Sequence, residues 1–142
     1  MSFETRVRVR FADVDPAGIV FYPRYFEMLN GLVEDWFASL GTGFRAMHID
    51  QHIGVPTVKL EVEFLSPSEL EDELTLRLDV RELGRSSCTI AVTFMGEGRD
   101  RLRARVVLVC MDLAAQRSRP WPDGVRAGMQ AQVVGWDVQK RA

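Results

Sequence analysis

The sequence predicts an α+β fold: an antiparallel five-stranded sheet whose apolar side is covered by one long helix. Three observations predict it. Five segments alternate apolar and polar residues with the period of a half-buried strand. One segment alone repeats its apolar residues at helical spacing. The connections between the later strands are short, which favours antiparallel neighbours. The 142 residues fit a single domain spanning 1–142. That length is enough to bury a core without staples.

The first strand is "TRVRVRF", with Val7, Val9 and Phe11 on one face. A helix then opens at Pro23, where a missing N–H does no harm, and stops near Gly41. Tyr25, Leu29, Leu32, Trp36 and Leu40 recur along it, with Phe26, Val33 and Phe37 beside them. About eighteen residues make a helix of roughly 27 Å. The pair Asn30-Gly31 reads locally as a turn. The apolar period runs through it in phase, so one helix is expected. Glycine there costs about 1 kcal/mol relative to alanine, and a close approach of helix to sheet would explain it.

"GTGFRAMHIDQHIGVP" reads as an irregular connection with a short helical turn. Four strands follow. Val58, Leu60, Val62 and Phe64 form the first set, and Leu74, Leu76, Leu78 and Val80 the second. Cys88, Ile90, Val92 and Phe94 form the third, and "RLRARVVLVCMDL" the fourth. The last two are expected to form a hairpin across "GEGRD". The tail after about residue 123 is expected to be a short helix with a mobile end.

Composition narrows the function. Hydrophobic residues make up 46% and charged residues 27%, as in an ordinary water-soluble domain. A net charge of -2 gives no bulk attraction to nucleic acid or to a membrane. The start "MSFETRVRVR" lacks the apolar core of a signal peptide, so the expected location is cytoplasmic. Cys88 and Cys110 sit in apolar runs and read as buried free thiols. His48 and His52 are four apart with Asp50 between them, but no third ligand of suitable spacing stands near, which favours a loop role. Arg99, Arg101, Arg103 and Arg105 alternate as the solvated face of a strand would. Some of these, or Arg85 in "LGRSS", are candidate contacts for coenzyme A phosphates, with Ser87 beside Arg85 as a second substrate-binding candidate. Neither Ser86 nor Ser87 sits in a nucleophile elbow.

The chemistry-bearing stretch is "DVDPAGIVFYPRYF", from Asp13 to Phe26. It places a carboxylate and a glycine turn directly ahead of a helix N-terminus, where free N–H groups and the positive end of the dipole lie. Asp15 before Pro16 and near Gly18 also fits a plain turn or cap. With Pro56, the Pro67 turn, "LGRSS" and "RPWP", the stretch resembles the hotdog-fold acyl-CoA thioesterases of the 4-hydroxybenzoyl-CoA thioesterase family. The resemblance covers roughly Val7 to Pro122.

The resemblance implies a sheet wrapped around the helix, protomers paired edge to edge as a homodimer or homotetramer, and sites between protomers. It implies that Asp15 is the catalytic carboxylate and that the Tyr22 backbone N–H meets the thioester oxygen. Gly18 would give the loop its geometry. It implies no cofactor and no metal. The carboxylate has two open roles, direct attack or activation of water. Phe21 and Tyr22 bear on the acyl pocket or pack in the core. Helix geometry puts Asn30, two turns beyond Tyr22, on nearly the same face, where a buried side chain would contact either the far end of the acyl group or a neighbouring loop backbone. Asp13 caps the loop or helps to orient Asp15. Related thioesterases of the Tol–Pal-associated pattern carry a histidine after the tyrosine. Here that place is Pro23, which speaks against a histidine-assisted mechanism. The expected reaction is hydrolysis of an acyl-CoA to free acid and coenzyme A, with an aromatic, benzoyl-type acyl group. A short or medium aliphatic acyl group is the alternative. Hydratase chemistry would need a histidine that the loop lacks. An acyl-CoA-binding protein without turnover is the non-enzymatic alternative.

Overall fold

A computed structural model describes residues 2–136 of the chain. The expected mobile end of the tail falls largely outside the described residues. The strands are β1 (Phe3–Arg8), β2 (Ile53–Gly54), β3 (Thr57–Phe64), β4 (Glu73–Leu83), β5 (Ser87–Gly96), β6 (Arg99–Val109), β7 (Met111–Asp112) and β8 (Arg117–Ser118). The α-helices are α1 (Pro23–Ser39) and α2 (Asp123–Gln132), and the connection after α1 holds the expected short helical turn at Arg45–Asp50. Five strands form one sheet in the order β1-β4-β5-β6-β3, with every pairing antiparallel. The short β2, β7 and β8 form a second sheet at its margin, which periodicity in two-residue strands could not announce.

Alternation places the inner residues as expected. Leu74, Leu76, Leu78 and Val80 of β4 join Cys88, Ile90, Val92 and Phe94 of β5 in the buried cluster. Tyr25, Leu29, Leu32, Val33, Trp36 and Phe37 of α1 pack into the same cluster. Val125 and Met129 of α2 add to it, and Gln132 accepts a hydrogen bond from the Trp36 indole at 2.9 Å. Both thiols are free and buried. Burial pushes the Cys88 thiol up to about 12 and raises Cys110 as well, against the opposing charge of Arg119. No helix among the described residues is long and apolar enough to cross a membrane.

Four expectations are corrected. β1 stops at Arg8, and Phe11 sits exposed in a single 3₁₀ turn, Phe11–Asp13, that Asp13 caps by accepting from the Arg10 N–H at 2.8 Å. α1 is one helix through Asn30-Gly31, but a Cβ at Gly31 would meet nothing within 4 Å, so no close approach to the sheet explains that glycine. The fourth run breaks at Cys110, whose N–H leaves the ladder for the Ser86 carbonyl at 2.8 Å. Arg101 is not on a solvated face. The β5/β6 register jumps from Met95↔Asp100 to Phe94↔Leu102, leaving Arg101 as the extra residue of a bulge. Arg101 and Leu102 are therefore both buried.

Candidate active site

The loop after β1 folds back on itself as a narrow ribbon. Val14 pairs with Val20, and the Phe21 N–H donates to the Asp13 carbonyl at 2.9 Å. At the tip, the Asp15 N–H donates to the Ile19 carbonyl at 3.0 Å and the Gly18 N–H to the Asp15 carbonyl at 2.9 Å. Gly18 has φ +82 with nothing near its missing Cβ, so it is there for the backbone conformation, as the sequence implies. The Asp15 carboxylate closes the turn through Oδ1, which accepts from the Ala17 N–H at 2.9 Å. Among the described residues, Oδ2 takes no protein donor. The turn role and a chemical role are thus compatible in one side chain, one oxygen for each.

The ribbon delivers the chain to the N-terminus of α1. A helix start leaves its first N–H groups without partners. Here Pro23 has no N–H, and Arg24 and Tyr25 donate to the carbonyls of Phe21 and Tyr22 at 2.9 and 3.2 Å. That leaves the Tyr22 N–H, which finds no acceptor among the described residues. One donor therefore stands at the positive end of the helix dipole.

Aromatic side chains line the approach. Phe21 and Tyr22 are 51% and 58% exposed, which rules out core packing within the chain. Their rings meet edge to face at 5.7 Å, and Tyr22 meets Phe64 of β3 at 6.1 Å. Tyr25 lies beneath, with its ring 6.2 Å from Phe64. A groove of about 290 Å³ runs between Ile19, Tyr22, Tyr25, Phe64 and Pro67. Helical periodicity assigned Tyr25 to the core, and strand alternation did the same for Phe64. Their place beside the groove follows only from tertiary packing.

A second segment, 65–72, grips the loop from behind. The Val20 N–H donates to the Ser68 carbonyl at 2.8 Å and the Leu70 N–H to the Gly18 carbonyl at 3.2 Å. Ile19 bridges Glu69, and the buried Tyr25 hydroxyl donates to Ser68 Oγ at 3.0 Å. Arg101 donates to Asp72 Oδ2 at 2.8 Å from inside the protein. Burial works against the charge of Asp72, but the Arg101 bond, the Glu69 N–H and the charges of Arg101 and Arg99 outweigh it and hold its carboxyl below the usual range.

Other candidates lie apart. Arg85 is exposed and Ser87 half-buried in the β4–β5 turn, whose backbone is tied by bonds from Gly84 to Ser87 and from Trp121 to both Arg85 and Ser87. That turn follows Leu83, whereas the Asp15 loop is gripped just before Glu73. The eleven residues of β4 separate them by about 33 Å. One chain does not bring Arg85 and Ser87 to Asp15. Asn30 is exposed on α1 and stands outside the groove, so the burial expected of it is not found within one chain. His48 Nδ1 lies 3.0 Å from the Phe44 carbonyl, and no three metal-ligating side chains cluster among the described residues.

Comparison with known proteins bears on the family and the fold. Residues 9–129 match the thioesterase-like superfamily. The chain is 29% identical over 124 residues to a 1,4-dihydroxy-2-naphthoyl-CoA hydrolase of Thermosynechococcus vestitus, covering 87% of this chain and 85% of that one. It is 31% identical over 88 residues to the 4-hydroxybenzoyl-CoA thioesterase of Pseudomonas sp., covering 61% and 62%. The structure of a gentisyl-coenzyme A thioesterase superposes with a TM-score of 0.80 at 29% identity, covering 89% of this chain and 99% of that one. With its antiparallel sheet around one long helix and its match over most of its length, the chain belongs to the thioesterase-like superfamily and has the hotdog fold.

Proposed function

We propose that the protein hydrolyses aromatic acyl-CoA thioesters, of the benzoyl type, to the free acid and coenzyme A, with Asp15 and the Tyr22 N–H as its working groups. One observation carries this reading. The same ribbon holds a carboxylate oxygen without a protein donor and leads to a helix-terminal N–H without a protein acceptor, among the described residues. A thioester needs both. The N–H and the helix dipole stabilise the oxygen as it gains charge, and one such donor is worth about 2.7–4 kcal/mol. The carboxylate then attacks the acyl carbon or takes a proton from the attacking water. By either route the C–S bond breaks, one water is consumed and coenzyme A leaves as the thiol; after direct attack that water opens the acyl–Asp15 anhydride.

The aromatic preference draws on Tyr22, Tyr25 and Phe64 around the groove and on the names of the relatives, each of which acts on a hydroxylated aromatic acyl group. A second copy of the chain completes the site. Val58, Leu60 and Phe64 on the outer strand β3 are 59%, 42% and 54% exposed, more than a finished edge would leave open. Two-fold pairing along β3 reverses the five-stranded sheet of the second copy. Its Gly84–Ser87 turn then stands at the end where the first copy holds Asp15. Arg85 and Ser87 thereby reach the coenzyme A moiety from the second copy.

Thiol release from a panel of aromatic and straight-chain acyl-CoAs tests the reading. The expected result is a higher kcat/KM on hydroxybenzoyl-CoA than on any straight-chain substrate. A higher value on aliphatic chains would replace the aromatic assignment, and binding without thiol release would remove the enzymatic one. A single turnover in ¹⁸O-water tests direct attack, because water opening an acyl–Asp15 anhydride at the Asp15 carbonyl leaves an unlabelled enzyme oxygen in the first product and the label on Asp15.

A further inference from the structure

We infer that Arg101 is a positioning residue for the reaction, acting on the Asp15 loop through the segment 65–72 and not by touching substrate. The inference rests on the reading of Asp15 given above. An arginine with a fully buried side chain, placed by a bulge that breaks strand alternation, is a costly feature for a fold to keep. Each of its three guanidinium nitrogens donates. Nε and Nη2 both donate to the Gly96 carbonyl, at 3.2 and 3.0 Å, and Nη1 donates to the Pro67 carbonyl at 3.1 Å and to Asp72 Oδ2 at 2.8 Å. Gly96 has no side chain because a Cβ there would lie 2.9 Å from Arg101 Nη2.

The backbone of Arg101 holds the same segment. Its carbonyl accepts from the N–H groups of Leu65 and Ser66 at 2.9 and 3.3 Å. Segment 65–72 is thus pinned at its start by the Arg101 backbone, at Pro67 by the side chain and at its end by the ion pair. Between those pins lie Ser68, Glu69 and Leu70. These are the residues that bond Val20, Ile19 and Gly18. Only three positions separate Gly18 from Asp15, and the turn between them is itself hydrogen-bonded. A planar fork can fix several acceptors at once, which an ammonium cannot.

The test compares Arg101→Met, Arg101→Lys and a core control, Ile90→Ala, each measured well below its own melting temperature. Hydrogen exchange reads the clamp directly. In Arg101→Met the Val20 and Leu70 amides should exchange about tenfold faster, while the Cys110 amide, bonded to Ser86 at the far end, keeps its protection. kcat should fall by about tenfold or more with KM changed by less than about twofold. Arg101→Lys should restore little of either. Ile90→Ala should lose thermal stability yet keep kcat within about twofold. Should Arg101→Met fail to fold, Asp72→Asn removes the charge partner and should show the same selective exchange in weaker form. Unchanged Val20 and Leu70 protection overturns the proposal, and so does selective exchange with unchanged kcat. Full activity in Asp15→Asn is a separate result: it overturns the reading of Asp15, not the clamp seen by exchange.

Discussion

Two grooves of nearly equal size flank α1, about 320 Å³ against β1 and about 290 Å³ against the end of β3. Size does not distinguish them, but chemistry does. The β1 groove is lined by charges of both signs, Arg6, Arg8 and Arg10 with Glu27 and Asp35 of α1. The β3 groove is lined by rings and lies beside the N–H at the start of α1 that has no acceptor among the described residues. The edges follow the same division. β1 presents Glu4, Arg6 and Arg8 outward, the usual way a sheet is made to end, whereas β3 leaves Val58, Leu60 and Phe64 uncovered. One side of the helix is finished within the chain, and the other is not.

The largest expected effect tests which groove carries the chemistry. Asp15→Asn should keep the fold and lower kcat/KM by about 100-fold or more, because the amide neither attacks nor takes a proton. Next comes the difference between the edges. Leu60→Asp on β3 should convert an oligomer to a monomer in light scattering and take most of the activity with it. Arg6→Asp on β1 should change neither. A wild-type protein that is a stable, active monomer at micromolar concentration would remove the asymmetry altogether.

A smaller effect is expected at Asn30, which is exposed in one chain and, on the proposed reading, meets substrate where a second copy covers it. Asn30→Leu should lower kcat/KM for hydroxylated aromatic acyl-CoAs more than for benzoyl-CoA, by about 1 kcal/mol or fivefold. Equal losses on both would make the residue structural. The smallest effect lies on the β1 side. Gly31 lines that groove with open space at its Cβ, so Gly31→Ala should stabilise the helix by about 0.5–1 kcal/mol, seen as a melting temperature a few degrees higher. A lower melting temperature would mean that something packs over Gly31 in solution.

Local pattern made much of this visible in advance. Strand alternation marked the inner residues of β4, β5 and β6, and the helical period crossed Asn30-Gly31 without a break. The loop was legible because its parts are contiguous: Asp15, Gly18 and Tyr22 lie within eight positions. What stayed hidden depends on distant segments. Alternation put Arg101 on the wet face, and only the bulge, a pairing event between two strands, turned it inward. Nothing local joins Arg101 to Asp72, or Tyr25 to Ser68. Alternation also gave β3 an apolar face without saying that α1 would leave it bare. The groove residue Phe64 belongs to that bare face.

The buried thiols have a consequence for the proposed reaction, whose product is itself a thiol. Cys88 ionises only near pH 12, and Cys110 is raised too, so neither offers appreciable thiolate at neutral pH. Thiolate is the form that exchanges with disulfides. Oxidised coenzyme A accumulating around the protein therefore finds no partner on it for a mixed disulfide. In a colorimetric assay the folded chain contributes no background of its own, and every equivalent of colour counts one turnover.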